Sequence, residues 1–246
     1  MLSVDINCDM GEGIGNDEQI MPFISSASIA CGYHAGDEST MRQTIDYCIK
    51  YNVAIGAHPS FADKENFGRS EMNLQANEIY ELISEQVKIL FSIANEKGAK
   101  LHHVKPHGAL YNMAATNQSL AAAIAKAIKN IDSSLIVYGL VNSYSIDEAK
   151  KIGLQTANEV FADRTYQDDG TLTSRKLPNA LIEDPDRAIA QVLQMIKNKT
   201  VNSVSGKVVS MTAETICIHG DGKHAVEFAM NINKQLKKEG IDIKAI

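Results

Sequence analysis

The sequence predicts an α/β fold on parallel strands, with a TIM-like (β/α)7 barrel as the first choice and an open doubly wound sheet as the second. Three observations carry this. Short apolar runs of strand length alternate with longer stretches of helical periodicity. About seven such units fit into 246 residues, one short of the eight in a standard α/β barrel. No linker rich in Pro, Gly or Ser interrupts them, so residues 1–246 read as one barrel domain. Strands that alternate with crossover helices pair in parallel, because a parallel neighbour is reached only by a long return connection.

The expected strands are 4–8, 28–32, 54–58, 101–105, 135–140, 156–161 and 215–219. The expected helices are 40–51, 77–97, 119–131, 145–152, 185–197 and 223–239. Asp37 or Ser39 can cap the first of these. The second carries Ile79, Leu82, Ile83, Gln86, Val87 and Leu90 on one face, and Gly98 follows its end. Residues 163–184 show no period and read as a loop over one face. Residues 198–212, with four valines around Gly206, read as a small hairpin.

The balance of charge narrows the function. A net charge of −6 with no basic stripe argues against nucleic acid as the main partner. No run of 18 apolar residues and no signal-peptide pattern is visible, so a cytoplasmic protein without a membrane span is expected. The four cysteines, Cys8, Cys31, Cys48 and Cys217, form no C-x-x-C and read as reduced thiols.

Polar residues gather where the apolar runs end. Asn7, Asp9 and Glu12 follow the first; His34 and Asp37 the second; His58 the third; Lys105 and His107 the fourth; Glu159, Asp163 and Arg164 the sixth; His219 and Asp221 the seventh. Parallel strands of one barrel all end on the same face, so these residues converge there. Side chains two apart on a strand point the same way. Asn7 therefore shares a face with Asp9, Lys105 with His107, and His219 with Asp221. The same rule turns Cys8 toward the helices and separates Cys31 from His34. His103 falls beneath the site and His102 packs outward. A single histidine after a strand is usually a satisfied loop residue, but coincidence at five or more strand ends points to a functional cluster, since burying Asp, Lys and His together is costly unless they pair.

The glycines at 11, 13 and 15 fail the dinucleotide fingerprint, because Asn16 stands where its third glycine belongs. No phosphate-binding P-loop pattern is present. Asp9, His34 and His58 make a mixed carboxylate and imidazole set that can hold a divalent ion, with the metal left open.

Seven segments together resemble the LamB/YcsF family: DINCDMGEG at 5–13, IACGYHAGD at 29–37, VAIGAHPSF at 53–61, HVKPHGALYNMAA at 103–115, EVFADRTY at 159–166, DGTLTSR at 169–175 and ETICIHGD at 214–221. The match runs from about residue 3 to residue 235. Met10 and Tyr33 depart from the family's more usual Leu and Phe, and neither change removes a polar site group. The resemblance implies a barrel related to the glycoside hydrolase and deacetylase barrels. It implies the role of the A subunit of an ATP-dependent 5-oxoprolinase, which cleaves 5-oxo-L-proline to L-glutamate as ATP becomes ADP and phosphate. It also implies partner subunits B and C, with self-association left open.

A five-membered lactam is a poor electrophile, and phosphorylating its oxygen activates the ring carbon. Such chemistry needs cations for the phosphoryl group, carboxylates for Mg²⁺ and groups that handle protons. On that reading Lys105 stabilises phosphate or oxyanion, Asp9 and Glu12 position a metal–nucleotide or the ring nitrogen, and His34, His58 and His107 act as acid–base or orienting groups. Asn7, Glu159, Arg164, His219 and Asp221 are expected to bind substrate, with Arg164 on its carboxylate. The alternatives are a metal-dependent deacetylase-like hydrolase and a non-catalytic subunit that binds the lactam.

Overall fold

A computed structural model describes residues 2–222 and 225–246 of the chain. The elements run in the order β1 (Ser3–Met10), α1 (Asp17–Ile20), a 3-10 turn (Met21–Phe23), β2 (Ser26–Ala30), α2 (Glu38–Tyr51), β3 (Ala54–His58), α3 (Ala76–Glu96) and β4 (Leu101–Val104). There follow α4 (Gly108–Thr116), α5 (Gln118–Ile131), β5 (Ile136–Leu140), α6 (Tyr144–Lys151), β6 (Thr156–Phe161) and α7 (Pro185–Lys197). The hairpin β7 (Thr200–Asn202) and β8 (Val208–Ser210), β9 (Thr215–Ile218), α8 (Ala225–Lys238) and β10 (Asp242–Ile243) complete the chain.

Seven strands run parallel in the order β1-β2-β3-β4-β5-β6-β9, and β9 pairs back onto β1. That last pairing closes the barrel and rules out the open doubly wound sheet. The expected hairpin is present as the antiparallel pair β7–β8. The strand β10, too short to show a period in the sequence, is only two residues long and pairs with the start of β1. No helix of the described residues is long and apolar enough to cross a membrane.

Two other elements differ from expectation for physical reasons. The second strand begins two residues earlier than the apolar run does. Ser25 and Ser26 donate to Asp5 Oδ1 at 2.6 and 2.8 Å, so polar residues start a strand whose inner face is itself polar. The helix α4 is hidden in the sequence because Ala109, Leu110, Tyr111, Ala114 and Ala115 are all buried, leaving little amphipathic period to read. Of the two possible caps for α2 the fold uses Asp37, whose Oδ1 accepts from the Thr40 amide at 2.8 Å. The expected start of the last helix, Lys223, lies outside the described residues.

Strand alternation sorts the side chains into two cores. Outward residues such as Ile6, Cys8, Met10 and Ile29 meet the helices, where the α3 stripe of Ile79, Ile83, Val87 and Leu90 is fully buried. Each such side chain stabilises the fold by about 1.5–3 kcal/mol. Gln86 shares that face, but its amide accepts from Ser60 N at 2.9 Å and donates to Ser60 O at 2.8 Å, pinning the turn after β3.

The barrel interior is mostly polar. Its apolar cluster is Ile136, Tyr138 and Ala157, where most α/β barrels are filled by branched aliphatic layers. At the N-terminal end Asp5 accepts from Ser25, Ser26 and, at 2.7 Å, Thr215. His103 stacks on Tyr138 with ring centres 4.1 Å apart and shares a 3.1 Å hydrogen bond with Ser28. Gly56 makes room for that ring, since a Cβ there would lie 2.1 Å from His103 Nε2. His103 thus lies inside the barrel below the site and His102 turns outward to the Ile246 carbonyl, as strand parity predicts.

Candidate active site

A cavity of about 890 Å³ opens over the C-terminal ends of the strands. Asp9, His58, Lys105 and His107 line it from below, Tyr111 and Phe161 from the side, and loop residues including 171–176 from above. That loop is irregular, as expected, and is held by isolated bridges between Arg164 and Leu181 and between Tyr166 and Leu172.

Lys105 is the centre of the floor. It is 1% exposed. Its ammonium donates to Asn7 Oδ1 at 2.8 Å, Glu159 Oε1 at 3.1 Å and Cys217 Sγ at 3.3 Å, and it forms an ion pair with Asp9. Burial alone would neutralise it, but the Asp9 charge foremost, with Cys217 and Glu159 beside it, holds its pKa well above the ordinary lysine value. Burial likewise pushes the Asp9 carboxyl up, yet the His58 and Lys105 charges win and hold it well below the usual carboxylate range. The floor is therefore a fixed cation beside a fixed anion.

Asn7 and Glu159 do not reach the cavity, which corrects their expected place among the substrate contacts. Both are fully buried beneath Lys105, and Asn7 Nδ2 donates to Glu159 Oε1 at 2.9 Å and to Thr215 Oγ1 at 2.7 Å. They point inward as parity requires, but they stand one layer deeper than Asp9 and serve to position the lysine.

Three imidazoles and Glu12 form a second group beside this centre. His34 and His107 stack at 3.8 Å with their planes 7° apart, and His58 meets both edge-on. His34 Nε2 lies 3.2 Å from Glu12 Oε1, and His107 Nδ1 lies 3.7 Å from the same oxygen. Burial, aided by the Asp9 charge, pushes the Glu12 carboxyl up to about 8. Burial pulls His34 down to about 4, and burial with the His58 and His34 charges depresses His107. The ligand atoms of Glu12, His34, His58 and His107 all lie within 4.8 Å of one another. The expected metal set of Asp9, His34 and His58 is not brought together as one group: Asp9 Oδ2 lies 3.4 Å from His58 Nε2, but the carboxylate that gathers with His34, His58 and His107 is Glu12. Asp9 instead belongs with Cys217 and His219 in a second group of potential ligands.

At the rim, His219 Nδ1 donates to Asp163 Oδ2 at 2.7 Å, which leaves Nε2 to accept from Arg175 Nη2 at 2.9 Å. This chain of contacts aims a guanidinium at the cavity. Asp221 does not line the cavity itself; it accepts from Arg69 Nη2 at 2.7 Å, and Arg69 does line it. Arg164, expected on the substrate carboxylate, is buried and donates to the Thr173 carbonyl at 2.6 Å and the Ala180 carbonyl at 3.4 Å. Its fork holds the loop, and Arg69 and Arg175 are the more available cations. Of the site residues to which the sequence pattern assigns no role, Cys217 is within reach of the parity rule, two places before His219. Arg69 and Arg175 owe their places to loops, where no period operates.

A closed seven-stranded α/β barrel with a buried lysine–carboxylate–imidazole centre at its C-terminal mouth is the class that fold and site define. At the level of fold it extends to a family 4 carbohydrate esterase from Streptomyces lividans, 11% identical, with a TM-score of 0.53 over 99% of this chain and 92% of that one. The chain belongs to the LamB/YcsF family, whose profile matches residues 4–246. It is similar to the lactam utilization protein of Thermus thermophilus, 36% identical with a TM-score of 0.93 over 100% of both chains. It is 52% identical to the 5-oxoprolinase A subunit of Tolumonas auensis over 100% of both chains, and 53% identical to that of Bacillus cereus over 100% of this chain and 99% of the other.

Proposed function

We propose that this chain is the A subunit of an ATP-dependent 5-oxoprolinase and carries lactam chemistry at the barrel mouth, in a complex with subunits B and C. The observation that supports it most is the charge arrangement of the cavity. In a chain of net charge −6, the cavity is lined by five cationic side chains, Lys105, Arg69, Arg164, Arg175 and Lys176, against three carboxylates, Asp9, Glu71 and Asp169. That focus of cations suits a small carboxylate and a transferring phosphoryl group.

The reaction splits into steps that these side chains serve. Transfer of the ATP γ-phosphoryl group to the lactam oxygen makes an imidate phosphate and ADP. Water then adds to the ring carbon. The C–N bond breaks as the nitrogen takes up a proton, and a second water releases phosphate from the resulting acyl phosphate, leaving glutamate. Lys105 stabilises negative charge on the activated oxygen. Asp9 lies beside it as a fixed anion that holds the ammonium in place and faces the ring nitrogen, and Arg175 holds the substrate carboxylate. Mg²⁺ travels on the nucleotide phosphates, because this hard ion favours oxygen donors and both potential ligand groups contain imidazole.

The test is to incubate the purified chain with ATP, Mg²⁺ and 5-oxo-L-proline, with and without subunits B and C, and to follow ADP and glutamate separately. Coupled release of both in the full mixture is expected. ADP formed without partners would assign phosphoryl transfer to this chain. Absence of glutamate from the full mixture would overturn the reading.

A further inference from the structure

We propose that Glu12, His34, His58 and His107 form a binding site for one divalent transition metal ion of the zinc class. Two of the rings have their tautomers fixed by backbone partners. His58 Nδ1 lies 2.7 Å from the Lys105 carbonyl and His107 Nε2 lies 2.9 Å from the Phe67 carbonyl. A carbonyl only accepts, so both of those nitrogens carry hydrogen. The remaining nitrogens, His58 Nε2 and His107 Nδ1, face each other at 2.9 Å. In two neutral rings both would be lone pairs, and two lone pairs at that distance repel. The site therefore requires a cation between them, a proton or a metal ion.

The surroundings favour the metal ion. Zinc–nitrogen distances of about 2.0–2.1 Å place neighbouring donors of a tetrahedron roughly 3.3 Å apart. The donor separations here, 2.9 Å for His58 to His107, 3.2 Å for His34 to Glu12 and 3.7 Å for His107 to Glu12, bracket that edge. A proton on His58 Nε2 serves the first of these pairs and the Asp9 carboxylate 3.4 Å away, but leaves the two contacts to Glu12 without a shared cation. The outer ring nitrogens bonded to backbone carbonyls are the usual support of metal-binding histidines, fixing tautomer and aim. Gly68 (φ +65°) lets its loop cross the stacked rings, since a Cβ there would lie 2.9 Å from both His107 Cδ2 and His34 Cβ. Three imidazoles with one carboxylate select zinc-class ions over magnesium or calcium. The neighbouring group of Asp9, Cys217 and His219 differs, because the Lys105 ammonium already supplies its positive charge. The proposed ion faces the cavity through His58 and His107, which line it.

The experiment uses the untagged full-length chain, stripped with a chelator and dialysed, and needs neither ATP nor partner subunits. Zn²⁺ is titrated by calorimetry, and Co²⁺ by its visible absorption. One ion per chain is expected, with cobalt bands of four- or five-coordinate intensity. Glu12→Gln, which keeps the side-chain volume, and His34→Ala should each weaken binding at least tenfold, with circular dichroism confirming the fold. No saturable binding in the wild-type chain would overturn the proposal and assign the shared position to a proton. Binding of equal strength in both variants would also overturn it, by locating the ion elsewhere. Either result leaves the 5-oxoprolinase reading standing, because that reading is judged on ADP and glutamate.

Discussion

The two ends of the barrel interior are reached by the same parallel strands, yet they are finished differently. At the N-terminal end a single carboxyl, Asp5, is surrounded by Ser25, Ser26 and Thr215, which all donate to it. At the C-terminal end Lys105, Asp9, Glu12 and three histidines meet in one space, and His58 and His107 turn acceptor toward acceptor. Hydroxyl groups can rotate to satisfy any neighbour, so the lower end is closed and self-sufficient. Fixed charges and rings cannot, so the upper end keeps ionisable groups aimed at one another and at the cavity. That contrast marks the mouth, and not the base, as the working end.

The strongest way to break the comparison is Lys105→Ala. It should lower 5-oxoproline-dependent turnover by about 10²–10³-fold if the cation stabilises charge in the transition state. It also leaves Asp9 and Glu159 buried without their partner, at a cost of about 3–5 kcal/mol. Turnover and urea unfolding measured on the same sample separate the two effects, and near-normal turnover would remove Lys105 from the mechanism. Arg164→Ala comes next. Losing the guanidinium that ties Thr173 and Ala180 should loosen the loop at a cost of about 1.5–3 kcal/mol, seen as faster amide exchange across 163–184. Arg175→Ala is milder: KM for 5-oxoproline should rise roughly tenfold with a smaller change in kcat, the loss of one charge-assisted contact.

Asp5→Asn gives the smallest expected change, within about 1 kcal/mol at neutral pH. Its pH dependence sharpens the contrast. Burial raises the Asp5 carboxyl above its ordinary value of 3.8, against the lowering effect of its hydroxyl partners. A carboxyl raised in the folded state favours folding while protonated. Its contribution is lost as the pH climbs from the unfolded to the folded pKa. Melting temperatures measured from pH 4 upward should therefore show Asp5→Asn gaining on the wild type as the pH rises. A gap that stays constant would show that Asp5 carries no such shift.

Much of this was legible in the chain. Strand parity alone placed Asp9, Lys105, His103 and His219 inside the barrel, because alternation follows directly from backbone geometry. It failed where the start of a strand was judged by apolarity: Ser26 opens β2 toward a polar interior, two residues before the expected start at 28, so an apolar run was the wrong marker there. Depth along the barrel axis was also invisible. Asn7 and Asp9 share a face, yet Asp9 contacts the cavity while Asn7 supports a lysine. The Arg175–His219 contact spans 44 positions and depends on a loop without periodicity, so no local rule could propose it.

The pairing of β1 with β9 has a consequence in time as well as in space. The hydrogen bond from Thr215 to Asp5 joins residues 210 positions apart, and contacts of such sequence separation form late. At synthesis rates of about 5–20 residues per second, β1 emerges and then waits roughly ten to forty seconds for its neighbour. Until then the barrel is an unclosed sheet with a carboxylate and an unpaired edge on view. The newborn chain is thus most vulnerable to aggregation in the interval before its seventh barrel strand arrives.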